Sequence, residues 1–456
     1  MLKNRIDIIP DTNYFYGEKS ELDYKAICIY AATGFFLDND TYFLNEKIIR
    51  PACDYSTENG ILVEKPYFKW KYQPRDITLK QATEEFLELF ENIIRDQTGD
   101  KKVILPLSGG LDSRTQAAAL FAVDADVNSY SYAFENGHNE TIYGQKIANI
   151  LEFPFKKFIV NPGYLWPCID ELAKINGCYS EFTHPRQMAF IKEYSYLGDL
   201  FSLGHWGDVL FDDMGVPDDL PFELQVEVVL KKIIKKGGLE LATDLWAFLD
   251  LEGNFEDYLY ERIRYLLSNI DIRNSANARI RAFKSLYWAP RWTSVNLSIF
   301  KAVRPISLPY YDNRMCEFIC TIPEELLRGR KIQIEYLKLR SPKIASVSWQ
   351  EHKPFNLYNY HYDKTPWNLP FRTINKIYRK FSSSPKIQRN WELQFLGKEN
   401  DEKLRHWLFE NPRLFDLVPK DIVEKYYHQF TSEDAVYWSH AISMLLTLSI
   451  KLNNNS

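Results

Sequence analysis

The 456 residues are 45% hydrophobic and 15% aromatic, so the chain can bury a large core and is neither a disordered nor a low-complexity protein. A formal net charge of -5 argues against nucleic acid as an obligatory partner, because duplex and tRNA binders carry a basic face. No apolar run reaches the roughly 18 residues of a membrane span and the start MLKNRIDIIP lacks a signal-peptide pattern, so a cytoplasmic protein without a membrane partner is expected.

Residues 1–80 read as β-rich, with short aromatic and β-branched runs at 26–30, 34–37 and 61–72 between turn residues. At 77–96 the apolar period changes: Ala82, Phe86, Leu87, Leu89, Phe90 and Ile93 form a helical stripe. Strands at 103–107, 127–134, 155–160 and 199–203 then alternate with helices at 112–124, 141–151 and 165–175. Such alternation predicts an α/β fold with a parallel sheet covered on both faces. After about residue 215 the pattern is mostly helical, over 222–236, 239–249, 258–267, 276–288, 315–320, 332–339 and 435–452, with a frayed tail at 453–456. The basic run 376–389, KIYRKFSSSPKIQR, is broken by Ser and Pro and reads as a solvated linker. Six cysteines show no C-x-x-C pair; Cys316 and Cys320 lie four apart on one helix and are expected to pack rather than ligate.

The segment LPLSGGLDSR at 105–114 follows an apolar strand and opens a helix, so 108–112 form a strand-to-helix turn. At such a turn, backbone N–H groups without helical partners converge, the helix dipole adds positive potential, and glycines let an anion approach the main chain. Ser108 and Ser113 add hydroxyl donors. Asp112 would repel a phosphate unless a metal stands between them, which points to a magnesium-bridged nucleotide. A second glycine-bracketed aspartate, in GHWGD at 204–208, follows the strand at 199–203. Ligands gather at the carboxyl ends of parallel strands, and Mg2+ needs only one or two protein carboxylates besides phosphate oxygens, so Asp112 and Asp208 are the candidate metal ligands. A helix N-cap is the other reading of Asp208.

The SGGLDS hexapeptide resembles the pyrophosphate loop of the ATP pyrophosphatase (adenine nucleotide α-hydrolase-like) group, which cuts ATP between its α and β phosphates. The order of strand, SGGLDS, two βα units, G-x-x-G-D patch, PYYD at 309–312 and a later lysine is similar to the synthetase domain of asparagine synthetases and of their relatives, the β-lactam synthetases and lasso peptide cyclases. The resemblance covers about residues 80–445 and implies a synthetase domain at 81–456 behind a truncated glutaminase-like domain at 1–80. WQEHKPF at 349–355 is similar to the family's W-x-x-K-x-x-F segment with altered spacing. It implies that Lys353 holds pyrophosphate and steadies the departing charge. Leu107, Ser108, Gly109, Gly110, Asp112 and Ser113 would cradle ATP, while Leu203, Gly204 and the strand at 127–134 would take adenine. Arg114 reads either as a further phosphate contact or as a helix-surface arginine.

The sequence also departs from the family. Asparagine synthetases begin with a cysteine that hydrolyses glutamine, whereas this chain begins Met1-Leu2-Lys3 and its first cysteine is Cys28, so glutaminase chemistry is expected to be absent. Free ammonia, a separate glutaminase or an amine would supply nitrogen. His205 stands where the family has glutamate or tyrosine; an imidazole near its ordinary pKa could act as a base or orient the nucleophile. The resemblance thus implies carboxylate adenylation with ATP and Mg2+, followed by amide formation. A nucleotide-binding descendant without catalysis and a pyrophosphate-loop enzyme acting on tRNA are the alternatives.

Overall fold

The computed structural model describes residues 4–11, 14–59, 61–135, 137, 139–182, 185–371, 373 and 394–454. In chain order the elements that frame the site are β1 (Phe15–Gly17), α1 (Tyr24–Thr33), β2 (Glu46–Ile48), β3 (Cys53–Glu58), β4 (Ile61–Pro66), α2 (Leu79–Thr98), β5 (Val103–Pro106), α3 (Leu111–Ala122), β6 (Val127–Phe134), α4 (Thr141–Ile150), β7 (Phe155–Val160), α5 (Ile169–Asn176), β8 (Leu200–Ser202) and β9 (Ile306–Ser307). The expected parallel sheet is present, with strand order β7-β6-β5-β8-β9 and every pairing parallel. Val103, Ile104 and Leu105 are fully buried, as a strand covered on both faces requires.

This order reverses beside β5. From β5 the chain steps outward through β6 and β7, then returns to the other side of β5 for β8 and β9. The carboxyl ends of β5 and β8 therefore flank the point where the order reverses, the place at which ligands gather in open parallel sheets. The close approach of α4 closes one flank: a Cβ at Gly144 would lie 2.3 Å from the Leu107 carbonyl oxygen.

The strand expectation at 26–30 is overturned. Those residues lie in α1, capped by Asp23, whose side chain accepts from the Ala26 N–H at 3.0 Å, and ended by Gly34 at φ 78°. Residues Ala26 to Thr33 are all buried, so the helix shows no polar face and its β-branched and aromatic content mimics a strand. It packs on the helix Gly238–Phe248, where a Cβ at Gly238 would lie 2.5 Å from the Ala32 carbonyl oxygen. Residues 34–37 form no strand, and of 61–72 only β4 does, paired antiparallel with β3. Ile8, Tyr30 and Phe36 share one continuous apolar core with Val103 and Ile104.

The helical second half follows the expected periodicity, with the helices Phe222–Ile233, Gly238–Phe248 and Phe255–Ser268 near their sequence-read positions. The helix at Ala276–Phe283 continues as wide π turns through Lys284–Thr293. β9 and the helices Lys398–Phe409 and Lys420–Ser432 were not among the expected elements. The basic run 376–389 and residues 455–456 lie outside the described residues. All six cysteines are free and five are buried, Cys316 and Cys320 among them.

Candidate active site

Gly110 caps α3 without a side-chain hydrogen bond, so the first-turn amides of this twelve-residue helix are left for an incoming anion. Ser113 Oγ accepts from the Ser108 amide at 3.1 Å and lies 2.9 Å from Ser108 Oγ, while the Gly110 amide donates to Ser108 Oγ at 3.2 Å. The two serines thus shape the turn as well as offering hydroxyls. Gly109 has no room for a side chain, since a Cβ there would meet Gln350 Cβ at 2.7 Å and Tyr143 Cβ at 2.8 Å.

The turn after β8 is pressed against this loop. A Cβ at Gly204 would lie 3.0 Å from Asp112 Cβ, and one at Gly207 would lie 2.1 Å from Asp112 Oδ1. Trp206 between them has φ 78°, a left-handed conformation that costs a non-glycine residue energy and is retained where the surroundings demand it. Its Nε1 donates to Ser285 Oγ at 3.0 Å. Asp112 and Asp208 are therefore brought to the same crevice from two strand ends.

Two residues that the sequence did not single out, Arg330 and Gln333, hold Asp112. Arg330 forms an ion pair with Asp112 Oδ1, and Gln333 Nε2 donates to the same oxygen at 3.1 Å. Gln333 Nε2 also donates to the Tyr310 hydroxyl at 2.8 Å, so the PYYD segment reaches the site through Tyr310. Asp312 instead caps the next helix, Asn313–Ile319, and pairs with Arg314. Arg330 is itself held in the left-handed region at φ 61°. The sequence signal was present in LRGRK at 327–331 as a glycine-broken basic cluster, but nothing local says which arginine turns inward.

Burial pushes the Asp112 carboxyl up to about 6, helped by Asp208 and opposed by Arg330 and Gln333. Burial pushes His205 down to about 4, with Asp208 acting against it. The shift favours the neutral imidazole over the charged one. Its Nδ1 is buried without a hydrogen-bond partner among the described residues. Lys284 is pushed down to about 8 by burial, with Asp208 again raising it.

Lys353 stands on an exposed turn. The turn itself docks on the loop: Gly109 N donates to Gln350 Oε1 at 3.2 Å and Gln350 N to the Gly109 carbonyl at 3.3 Å. The helix-surface reading of Arg114 is overturned. The residue is wholly buried and donates to the carbonyls of Val347, Gly109 and Ser348 at 3.0 Å each and of Ile344 at 3.4 Å. Desolvation pushes its pKa down to about 10. Leu107 and Leu203 present backbone groups, Leu107 N donating to the Tyr130 carbonyl at 2.8 Å and Leu203 N to the Ser307 carbonyl at 3.0 Å.

Among the described residues no group of three or more His, Cys, Asp or Glu side chains is placed to hold a metal ion, and no helix is long and apolar enough to cross a membrane. Two carboxylates brought together from separate strand ends are a donor set that fits Mg2+, which takes few protein ligands and leaves its other positions to water and other oxygens. The opposing charge now on Asp112 comes from Arg330.

Residues 85–191 match the family model described as asparagine synthase, a span that runs from within α2 past α5 and includes the whole loop. No curated protein matches the chain. Among solved structures, the chain is similar to NMN synthetase from Francisella tularensis, at 15% identity and a TM-score of 0.23, over 46% of this chain and 93% of that one. It is also similar to the U34-tRNA thiolase NcsA from Methanococcus maripaludis with its 4Fe-4S cluster, at 13% identity and a TM-score of 0.23, over 72% of this chain and 89% of that one. Likenesses this distant carry no argument about the reaction.

Proposed function

We propose, from the match of residues 85–191 to the asparagine synthase family model, that the chain is an ATP-using ligase that adenylates a substrate carboxylate and joins it to nitrogen. A carboxylate oxygen attacks the α phosphorus of ATP, the α–β anhydride breaks, and pyrophosphate leaves. The acyl-AMP then meets ammonia or an amine at its carbonyl carbon, AMP departs with the C–O electron pair, and the nitrogen releases a proton to solvent. Adenylation is needed because oxide is a poor leaving group at neutral pH, whereas AMP is a good one.

The observation that carries this reading is the pressing of the Gly204–Asp208 turn against the SGGLDS loop at the point where the sheet order reverses. In roles, the α3 amides with Ser108, Gly109, Gly110 and Ser113 grip pyrophosphate, and Leu203, Gly204 and the end of β6 receive adenine. Asp112 and Asp208 would hold Mg2+, which when bound offsets phosphate charge. His205 orients the nucleophile through its unpartnered Nδ1, and Lys353 meets the leaving pyrophosphate once its turn closes on the anion. Arg330 shields Asp112 until nucleotide arrives.

A second reading, nucleotide binding without turnover, is favoured by the same Arg330 pair and by the exposure of Lys353. Exchange of labelled pyrophosphate into ATP separates the two. Exchange that depends on an added carboxylate supports the ligase; ATP binding with no exchange across a broad carboxylate panel supports the silent descendant.

A further inference from the structure

At Lys284 the helix from Ala276 widens into π turns, a geometry that recurs where a helix shapes a binding site. Lys284 Nζ lies 5.7 Å from the ring centroid of Trp206 and 5.1 Å from that of Trp288. From a different element, Lys235 Nζ lies 5.8 Å from the Trp288 centroid and 5.6 Å from that of Trp292. Two ammoniums thus flank one indole. Among the described residues neither lysine has an ion-pair or hydrogen-bond partner for its ammonium, and Trp288 Nε1 is buried with no acceptor.

The charges around them leave a local excess of positive sign. Asp208 acts on Lys284 and Glu181 on Lys235, while Lys232 adds to the positive side and Arg281 is offset by its ion pair with Glu324. Partly desolvated ammoniums over aromatic faces keep their charge available to an anion, and a buried N–H beside them supplies a directional donor. The position is also fixed relative to the chemistry. Trp206 joins His205 to Gly207, whose Cα faces Asp112, so the cluster borders the loop on the His205 side.

We infer that Lys284 and Lys235, walled by Trp206 and Trp288, grip a second anionic group of the carboxylate substrate. The substrate is then a dianion with an apolar or planar body: one group is activated at the loop and the other held at the lysines. Which group is activated rests on the ligase reading; the grip does not.

The test is calorimetric binding to the full chain without ATP, using two matched probe pairs, succinate against butyrate and phthalate against benzoate. Each pair shares a carbon skeleton and differs by one carboxylate. Wild-type protein is expected to bind the dianion of at least one pair about tenfold or more tighter than the monoanion. Lys284→Met and Lys235→Met are expected to erase that preference, and Lys284→Arg to restore part of it, with the melting temperature kept as the check on folding. Equal binding within both pairs, no binding of either dianion, or a preference that survives both Met variants overturns the inference. Because ATP is absent, these outcomes are independent of whether pyrophosphate exchange is found.

Discussion

Gly207 lies so close to Asp112 that a Cβ on it would fall 2.1 Å from the carboxylate oxygen and 2.9 Å from the Tyr310 ring. No side chain fits there, so the second strand-end turn can reach the phosphate loop only with glycine at this position. Gly207→Ala is expected to force Asp112 off its present line and to weaken ATP binding about tenfold or more, with a cooperative melt retained. Wild-type affinity in an isothermal titration with ATP and Mg2+ would contradict the role given to this contact.

Arg114 fastens the segment 344–348 to the back of the loop through four carbonyl oxygens. Lysine carries the charge but not the planar fork, so Arg114→Lys leaves buried carbonyls unmet and is expected to cost about 2–4 kcal/mol of stability. Urea unfolding measures it. A loss below about 0.5 kcal/mol would mean that the clamp is replaceable by water.

Arg281 and Glu324 form a doubly hydrogen-bonded pair at 2.6 Å, with side chains 3% and 2% exposed, and Arg281 also holds the carbonyls of Val209 and Asp212. It anchors the helix that leads into Lys284 and the residues just after Asp208. Glu324→Gln strands a buried guanidinium and is expected to cost about 3–5 kcal/mol in the same assay. An unchanged midpoint would show that the pair relaxes into solvent.

The raised carboxyl of Asp112 sets a pH dependence. A proton bound below about 6 removes the negative charge that a metal or Arg330 requires, so binding of ATP with Mg2+ should be full at pH 7 to 8 and fall as pH drops through about 6. ATP itself titrates near this range, so Asp112→Asn supplies the reference: it should bind weakly and with a flatter profile. Identical profiles for the two proteins between pH 5 and 8 would remove Asp112 from the titration.

The sheet was legible because its strands are short continuous apolar runs separated by helices, and the loop because its glycines and serines stand at the strand-to-helix junction. α1 was misread since burial on every side erased the period that distinguishes helix from strand. Arg114 was invisible for a related reason: three of its four partners are backbone carbonyls 230 to 234 positions away, which no side-chain pattern marks. Arg330, Gln333 and Tyr310 meet Asp112 only through tertiary folding, and the shift of His205 to about 4 is a property of its burial rather than of its neighbours in the chain.

The account rests on the loop at 108–113 gripping the pyrophosphate end of ATP while a carboxylate attacks. Exchange of labelled pyrophosphate into ATP, run with a carboxylate panel on wild-type protein and on Asp112→Asn, tests this most directly. Carboxylate-dependent exchange in the wild type and its loss in the variant are the expected result. Exchange that is undiminished in Asp112→Asn would contradict the site, and its absence with every carboxylate in a protein that still binds ATP would contradict the ligase.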